Sequence, residues 1–285
     1  MIGKAVIPAA GLGTRLLPAT KEQPKEMLPV YTRVPNGQVC LKPILQLIFE
    51  QLFDLGVRAF CIVIGRGKRA IEDHFTEDYS YATYIRNAGG LAAAEDLEAF
   101  YRRLDDSVIS WVTQPEPRGF GDAVLRARRA VGDDDFMVHA GDAYIVSKEN
   151  AYFRRLRTIF DQRRSSAVLL IHELADPRQK GVAEVRALGA DTYEVLSVVE
   201  KPEEPKTKFA IEPVYVFQPH FFEALSKTKP GKRGEVEVTD GIQLMIAGGH
   251  IVRATRLLED EVRLDVGDAE SYWEALSVSY KLAKC

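Results

Sequence analysis

Arg15, Lys21 and Lys25 crowd behind two glycines, Gly11 and Gly13, all within 14 residues of Gly11, in the stretch KAVIPAAGLGTRLLPATKEQPKEMLP at residues 4–29. Glycine lets backbone N–H groups turn toward an anion with no Cβ in the way. Arginine and lysine add the fixed positive charge that a polyphosphate needs. The apolar segment Lys4–Pro8 reads as a strand running straight into this loop, which makes its end a place to hold a nucleoside triphosphate.

Two commoner glycine loops do not fit. A P-loop needs G-x-x-x-x-G-K-[ST], which occurs nowhere in the chain. A dinucleotide fingerprint needs a third glycine, where this chain has Leu16, and an acidic residue near the end of the second strand, where it has Gly65-Arg66-Gly67. A dinucleotide-dependent oxidoreductase is excluded on that spacing.

Three further segments carry chemistry. Gln114 ends an apolar strand and leads into Pro115-Glu116-Pro117-Arg118-Gly119-Phe120-Gly121-Asp122-Ala123-Val124. Its amide offers a donor and an acceptor, which suits the imide edge of uracil or thymine. Gly119 and Gly121 would let a base or ribose approach the backbone before a helix starts; taken locally, the same residues also describe a helix-starting turn with a solvated glutamine. Asp142 follows an apolar strand and a glycine, and Asp265 closes a strand before Val266-Gly267. Each could simply form an Asx turn, but two strand-end carboxylates on one rim are what Mg²⁺ takes together with substrate phosphate oxygens. In Val198-Val199-Glu200-Lys201-Pro202, Glu200 could accept from sugar hydroxyls and Lys201 could neutralise a sugar phosphate, although E-K-P at a strand end is by itself commonly a solvated turn.

The elements that must position these residues alternate. Pro43–Leu52 shows helical spacing with proline at its first turn, and Gly56 ends it. Val57–Ile64 reads as a buried strand, Lys68–Phe75 and Leu91–Leu104 as helices, Val108–Thr113 as a strand, Phe120–Ala130 as a helix and Phe136–Ala140 as a fourth strand. Such alternation predicts an α/β fold, a Rossmann-like mixed and mainly parallel sheet with helices on both faces. Ligands in such sheets bind beyond the carboxyl ends of the strands, where the first loop and Gly141-Asp142 both fall. Later, Ala167–His172, Val182–Val185, Tyr193–Val199 and Ile211–Phe217 read as strands with antiparallel pairs among them, and Thr239–Ile246 and Ala269–Leu282 as helices. The face of Ala92–Leu104 suits core packing or an oligomer contact. No linker or repeat divides the chain, so residues 1–285 are expected to form a single domain.

The first motif, with its G-x-G-T-R and P-K elements, resembles the sugar-1-phosphate nucleotidylyltransferases. Thr20-Lys21-Glu22-Gln23-Pro24-Lys25-Glu26-Met27-Leu28-Pro29 is similar to their UTP–glucose-1-phosphate uridylyltransferase branch of prokaryotic type. The likeness extends to Q-x-x-x-x-G-x-G-x-A-V from Gln114, to G-D at Asp142, D-x-G at Asp265 and E-K-P at Glu200, and runs nearly end to end. It implies transfer of a uridylyl group from UTP to glucose 1-phosphate, with Arg15, Lys25, Asp142 and Lys201 catalytic and Mg²⁺ on Asp142 and Asp265. Nucleotide contacts would come from Ala10, Gly11, Gly13, Thr14, Glu26, Gln114 and Gly119, and sugar-phosphate contacts from Gly181, Glu200 and Lys201. Gly234-Glu235-Val236-Glu237-Val238-Thr239-Asp240 resembles the family's G-E-x-x-x-T-D, where Thr239 or Asp240 is expected to cap a helix. Pro213, and the segment Leu264–Tyr272, depart from the uridylyl pattern; the latter looks more like the thymidylyl branch, so dTTP is an alternative nucleotide. A binding protein that lost turnover is opposed by the complete set Arg15, Lys25, Asp142, Lys201 and Asp265.

Composition narrows the rest. A net charge of −3 argues against a broad nucleic-acid surface, and no apolar run approaches the roughly 20 residues of a membrane span. Cys40, Cys61 and Cys285 are too few and too scattered for a disulfide framework or metal knuckle, and the five histidines show no ligand spacing. A strand begins almost at the first residue, so no signal peptide and a reducing cytoplasm are expected. The partners expected are UTP and glucose 1-phosphate, no nucleic acid and no membrane, and a further copy of the chain in a dimer or tetramer.

Overall fold

The structure is a computed structural model that describes residues 2–284 apart from 35, 190, 232 and 233; Cys285 lies outside the described residues. In chain order its strands are β1 (Lys4–Ala9), β2 (Pro29–Arg33), β3 (Val39–Pro43), β4 (Ala59–Gly65), β5 (Val108–Gln114), β6 (Phe136–His139), β7 (Ala143–Val146), β8 (Ala167–Glu173), β9 (Gly181–Gly189), β10 (Thr192–Glu200), β11 (Phe209–Phe217), β12 (Val252–Arg256) and β13 (Val262–Asp265). Nine of them form one sheet in the order β5-β4-β1-β6-β11-β8-β12-β10-β9. The pairs β5–β4, β4–β1 and β1–β6 are parallel. At β6 the direction changes, because β11 lies antiparallel to it, and beyond β11 only β8–β12 is parallel. The sheet is thus mixed, with its parallel pairing concentrated in the first half.

Strand alternation sends side chains into two cores. In β1, Val6 packs on one face with Val63, Val124 and Phe136, while Ile7 packs on the other with Ile62, Phe49 and Phe153. Helices Ile44–Asp54, Leu91–Asp105 and Ala151–Arg163 cover the second of these faces. Phe49, fully buried, holds its centre with ring centroids 4.6 Å from Phe60 and 5.9 Å from Phe100. The Leu91–Asp105 helix therefore contributes core packing, through Ala94, Phe100, Tyr101 and Leu104. Helices Phe120–Arg126, Phe221–Ser226 and Val238–Ala247 cover the other face. Helix Phe120–Arg126 is shorter than its apolar spacing predicts; a separate turn, Arg128–Val131, follows Ala127.

Two small sheets finish the rim. The hairpin β2–β3 packs on helix Ala269–Lys284, with Tyr31 and Tyr280 rings 5.0 Å apart and the Tyr272 hydroxyl donating to the Pro29 carbonyl at 3.0 Å. Strands β7 and β13 pair antiparallel, setting Asp265 opposite Ala143, and the N–H of Val266 donates to the Asp142 carbonyl at 3.1 Å. That pairing carries Asp142 and Asp265, far apart in sequence, to one place. Among the described residues no helix is long and apolar enough to cross a membrane.

Candidate active site

Beyond the carboxyl ends of β1, β5 and β6 lies a cleft of about 440 Å³, lined by Ala10, Gly11, Thr14, Arg15, Lys25, Glu26, Gln114, Gly119, Asp142 and Lys201 among others. A second hollow of about 790 Å³ adjoins it and is lined by Glu200 and Asp240. Lys201, Glu235 and Glu237 line both. Ten of the residues singled out from the sequence therefore meet around one opening. The remaining ones stand just behind: Gly13 packs on Thr20, Gly181 on Thr239 and Glu200, and Asp265 beneath the rim. Lys21 stays in solvent beside Glu22.

Charge is arranged in layers. The Lys25 ammonium contacts the Asp142 carboxylate, and its side chain passes over Gly11, where an added Cβ would sit 3.4 Å from Lys25 Cε. Burial alone would push Lys25 toward neutrality, but Asp142, Glu26 and Asp265 outweigh it and raise its pKa above the lysine range. Burial likewise works against the Asp142 charge, yet Lys25, Arg263 and Lys180 hold its carboxyl below the usual range. Behind them Arg263 Nη2 reaches Asp265 Oδ2 at 2.9 Å and Arg263 Nε reaches the buried Glu212 at 2.7 Å. Arg15 lies 3.7 Å from Asp268, and an added Cβ on Gly267 would be 3.3 Å from Asp265 Oδ2 and 3.5 Å from Arg15 Nη2, so these groups converge at that glycine. Glu26 is buried against Lys68 at 2.6 Å, and burial raises its pKa while lowering that of Lys68.

The wall around Gln114 differs from the sequence expectation. Gly119, at φ 101°, and Gly121 leave room for the Val236 backbone: an added Cβ would fall 2.6 and 2.7 Å from the Val236 carbonyl oxygen. The Val236 N–H donates to Arg118 O and the Gly121 N–H to Val236 O, each at 2.8 Å. These glycines thus zip the 234–238 segment onto the Gln114 loop. That segment adds Glu235 and Glu237 to the rim, two residues the sequence reading leaves aside although its G-E-x-x-x-T-D match marks the first of them. Thr239 is not a cap, nor does Asp240 serve as one: the helix begins at Val238 after Glu237, with no side-chain cap. The Thr239 hydroxyl instead donates to Glu200 Oε2 at 2.8 Å, while Glu200 Oε1 meets Lys201 Nζ at 3.1 Å. Lys201 itself has φ 43°, a left-handed backbone fixed by its N–H donating to the Lys180 carbonyl at 3.0 Å. Cys61, in β4, is buried and its thiol is pushed up to about 12, as expected of a small core residue. Among the described residues no group of three or more His, Cys, Asp and Glu side chains forms a metal cluster.

A family model described as nucleotidyl transferase matches residues 4–280. The chain belongs to the nucleotidyl transferase family. This nucleotidyl transferase is 34% identical over 285 residues to the UTP–glucose-1-phosphate uridylyltransferase of Pseudomonas aeruginosa PAO1, covering 99% of this chain and 97% of that one. It is 37% identical over 273 residues to the enzyme of the same name from Bacillus subtilis strain 168, covering 94% and 87%. A crystal structure of UDP-glucose pyrophosphorylase complexed with UDP-glucose superposes with a TM-score of 0.84 at 30% identity, over 99% of this chain and all of that one. The nucleotidyl transferase shares with it the mixed central sheet and flanking helices.

Proposed function

We propose that this nucleotidyl transferase, acting as one domain, joins UTP and α-D-glucose 1-phosphate to give UDP-glucose and pyrophosphate. The observation that carries the reading is the convergence of Arg15, Lys25 and Lys201 with Gln114 and the glycine loop around one cleft. The relatives named above are what turn a nucleotide-and-anion cleft into this particular pair of substrates.

The chemistry asks little of proton transfer. A phosphate monoester has a second pKa near 6, so the attacking oxygen of the sugar phosphate is already ionised at neutral pH. It bonds to the α-phosphorus of UTP, the bond from that phosphorus to the bridging oxygen breaks, and pyrophosphate leaves with the electron pair. The obstacle is repulsion between two anions, so positioning and charge neutralisation supply the acceleration. Arg15 faces the triphosphate and the departing pyrophosphate, Lys25 the α-phosphate, and Lys201 the sugar phosphate from the seam between the two hollows. The backbone of Ala10 and Gly11, with Thr14 and Gly119 alongside, frames the nucleotide. Glu200 accepts from the sugar hydroxyls, its other contacts being fixed by Thr239 above Gly181.

Asp142 and Asp265 suit a divalent ion. They are brought together by the β7–β13 pairing, Asp142 is held ionised and contacts the Lys25 ammonium, and Asp265 adds to the field that keeps that ammonium charged. When bound there, Mg²⁺ would supply further neutralisation between the two substrates.

A pyrophosphate-release assay tests the reading: turnover with UTP, glucose 1-phosphate and Mg²⁺ together, and none when one of the three is omitted. Release with no hexose 1-phosphate tried, or binding without release, would overturn it. Uracil and thymine share the imide edge and differ by one methyl, worth about 1–3 kcal/mol in a pocket, so dTTP is the competitor to run beside UTP.

A further inference from the structure

Gln114 is only 5% exposed, and its amide nitrogen is fully engaged. Nε2 donates to the Gly119 carbonyl at 3.1 Å and to Asp122 Oδ2 at 2.7 Å. Neither partner carries a proton, so turning the amide over would set its oxygen against two other oxygens. Asp122 is locked in turn: Arg126, one helical turn on, donates from Nε to the same Oδ2 at 2.9 Å. The Asp122 side chain is 14% exposed and, unlike Gln114, does not line the cleft. Among the described residues nothing donates to Gln114 Oε1. The amide that could read a base edge in either sense is held in one sense only, as an acceptor.

We infer that Asp122 is a positioning residue for base selection, holding Gln114 Oε1 ready to accept a ring N–H. Uracil and thymine present an N–H at N3, whereas cytosine presents a lone pair there, facing the Gln114 oxygen. Aspartate is suited to the task because a carboxylate accepts in every rotamer and never donates, so it cannot support the inverted amide. The inference rests on the cleft being a UTP site, and it goes further by naming the residue that rejects CTP without touching it.

The test compares kcat/KM for UTP and CTP, by pyrophosphate release at saturating glucose 1-phosphate, in the wild type, Asp122→Leu and Asp122→Asn. In Asp122→Leu the UTP-over-CTP ratio falls at least about tenfold, since the polar mismatch that rejects the wrong base is relieved when the amide can turn. The loss is carried by KM for UTP, dTTP falls in parallel, and KM for glucose 1-phosphate is unchanged. Asp122→Asn can still turn an oxygen toward Gln114 and Arg126, and keeps the ratio within about threefold of wild type, the scale of one modest hydrogen bond. A merely structural Asp122 would depress UTP and CTP equally, and an unchanged ratio in Asp122→Leu would overturn the inference. If Asp122→Leu does not fold, Asp122→Ala carries the same comparison. A wild type that turns over neither nucleotide would instead defeat the functional reading itself; a wild type preferring CTP would defeat the role of Asp122.

Discussion

Lys25 and Asp142, 117 positions apart in the chain, form a mostly buried ion pair at the mouth of β1 and β6. Burial disfavours both charges, and the other member of the pair together with the surrounding charged groups outweighs that burial for each. The pair keeps a cation and an anion poised where an anionic reactant and a divalent ion would enter.

Lys25→Met should lower kcat by about 10²–10³-fold, the cost of removing a donor aimed at developing charge. Pyrophosphate release under saturating substrates measures it. Turnover near the wild-type value would take Lys25 out of the chemistry.

Asp142→Asn should raise the Mg²⁺ concentration needed for half-maximal activity. Outer-shell changes alone cost about 10–100-fold in metal affinity, so the loss of a direct ligand should cost at least that. Differential scanning fluorimetry gives a second readout: Mg²⁺ should no longer raise the melting temperature of the UTP-bound variant. An unchanged Mg²⁺ titration would remove Asp142 from the ion's ligands.

Gly119→Ala should uncouple the 234–238 segment from the Gln114 loop. The new Cβ would meet the Val236 carbonyl at 2.6 Å on a backbone at φ 101°. Strain and displacement of this kind cost about 1–3 kcal/mol. The expected outcome is a lower melting temperature together with a raised KM for UTP; a variant indistinguishable in both would refute the packing role.

Glu261 offers a pH test away from the cleft. It is buried, accepts from Arg155, from the Ser147 hydroxyl at 2.9 Å and from the Leu258 N–H at 2.9 Å. Burial opposes its charge, but Arg155 and these hydrogen bonds prevail and hold its carboxyl below the usual range. A carboxyl with a depressed folded pKa stabilises above its unfolded value, about 4.3, and loses that contribution as pH falls through the folded value. Glu261→Gln should therefore cost about 1.5–3 kcal/mol at pH 7, typical of hydrogen bonds to a charged group. Urea titrations at pH 7 and pH 3 should show the gap between variant and wild type narrowing in acid; a constant gap would mean that the charge is immaterial.

Local signals in the chain specify several elements of the first half of the fold, though not the β2–β3 hairpin or helix Tyr79–Asn87. The apolar run of β1, Pro43 before its helix and the strand preceding Gln114 each encode their own element. Helix Ala151–Arg163 is equally plain in hindsight, since Tyr152, Phe153, Leu156, Ile159 and Phe160 recur at helical spacing. What no window of sequence carries is pairing. Nothing near Phe209–Phe217 states that it lies between β6 and β8, and nothing near Asp265 states that β13 will seat it beside Asp142. The cationic loop was legible because its residues are close in sequence. The supports Lys68, Arg263 and Glu212 were not, because each acts on a residue that only the folded sheet brings near. Gln114 illustrates both limits: its chemical type points to a base edge, while its restriction to accepting depends on Asp122, eight residues later on a different element.

Strand β6 is bordered by a parallel neighbour, β1, and an antiparallel one, β11, and Asp142 stands just past its end. The glycine loop and Gln114 belong to the parallel side, Glu200 and Lys201 to strands beyond the reversal. On the proposed reading, descendants of this gene could trade one hexose for another by remodelling the far strands, while the half assigned to the nucleotide passes unaltered from generation to generation.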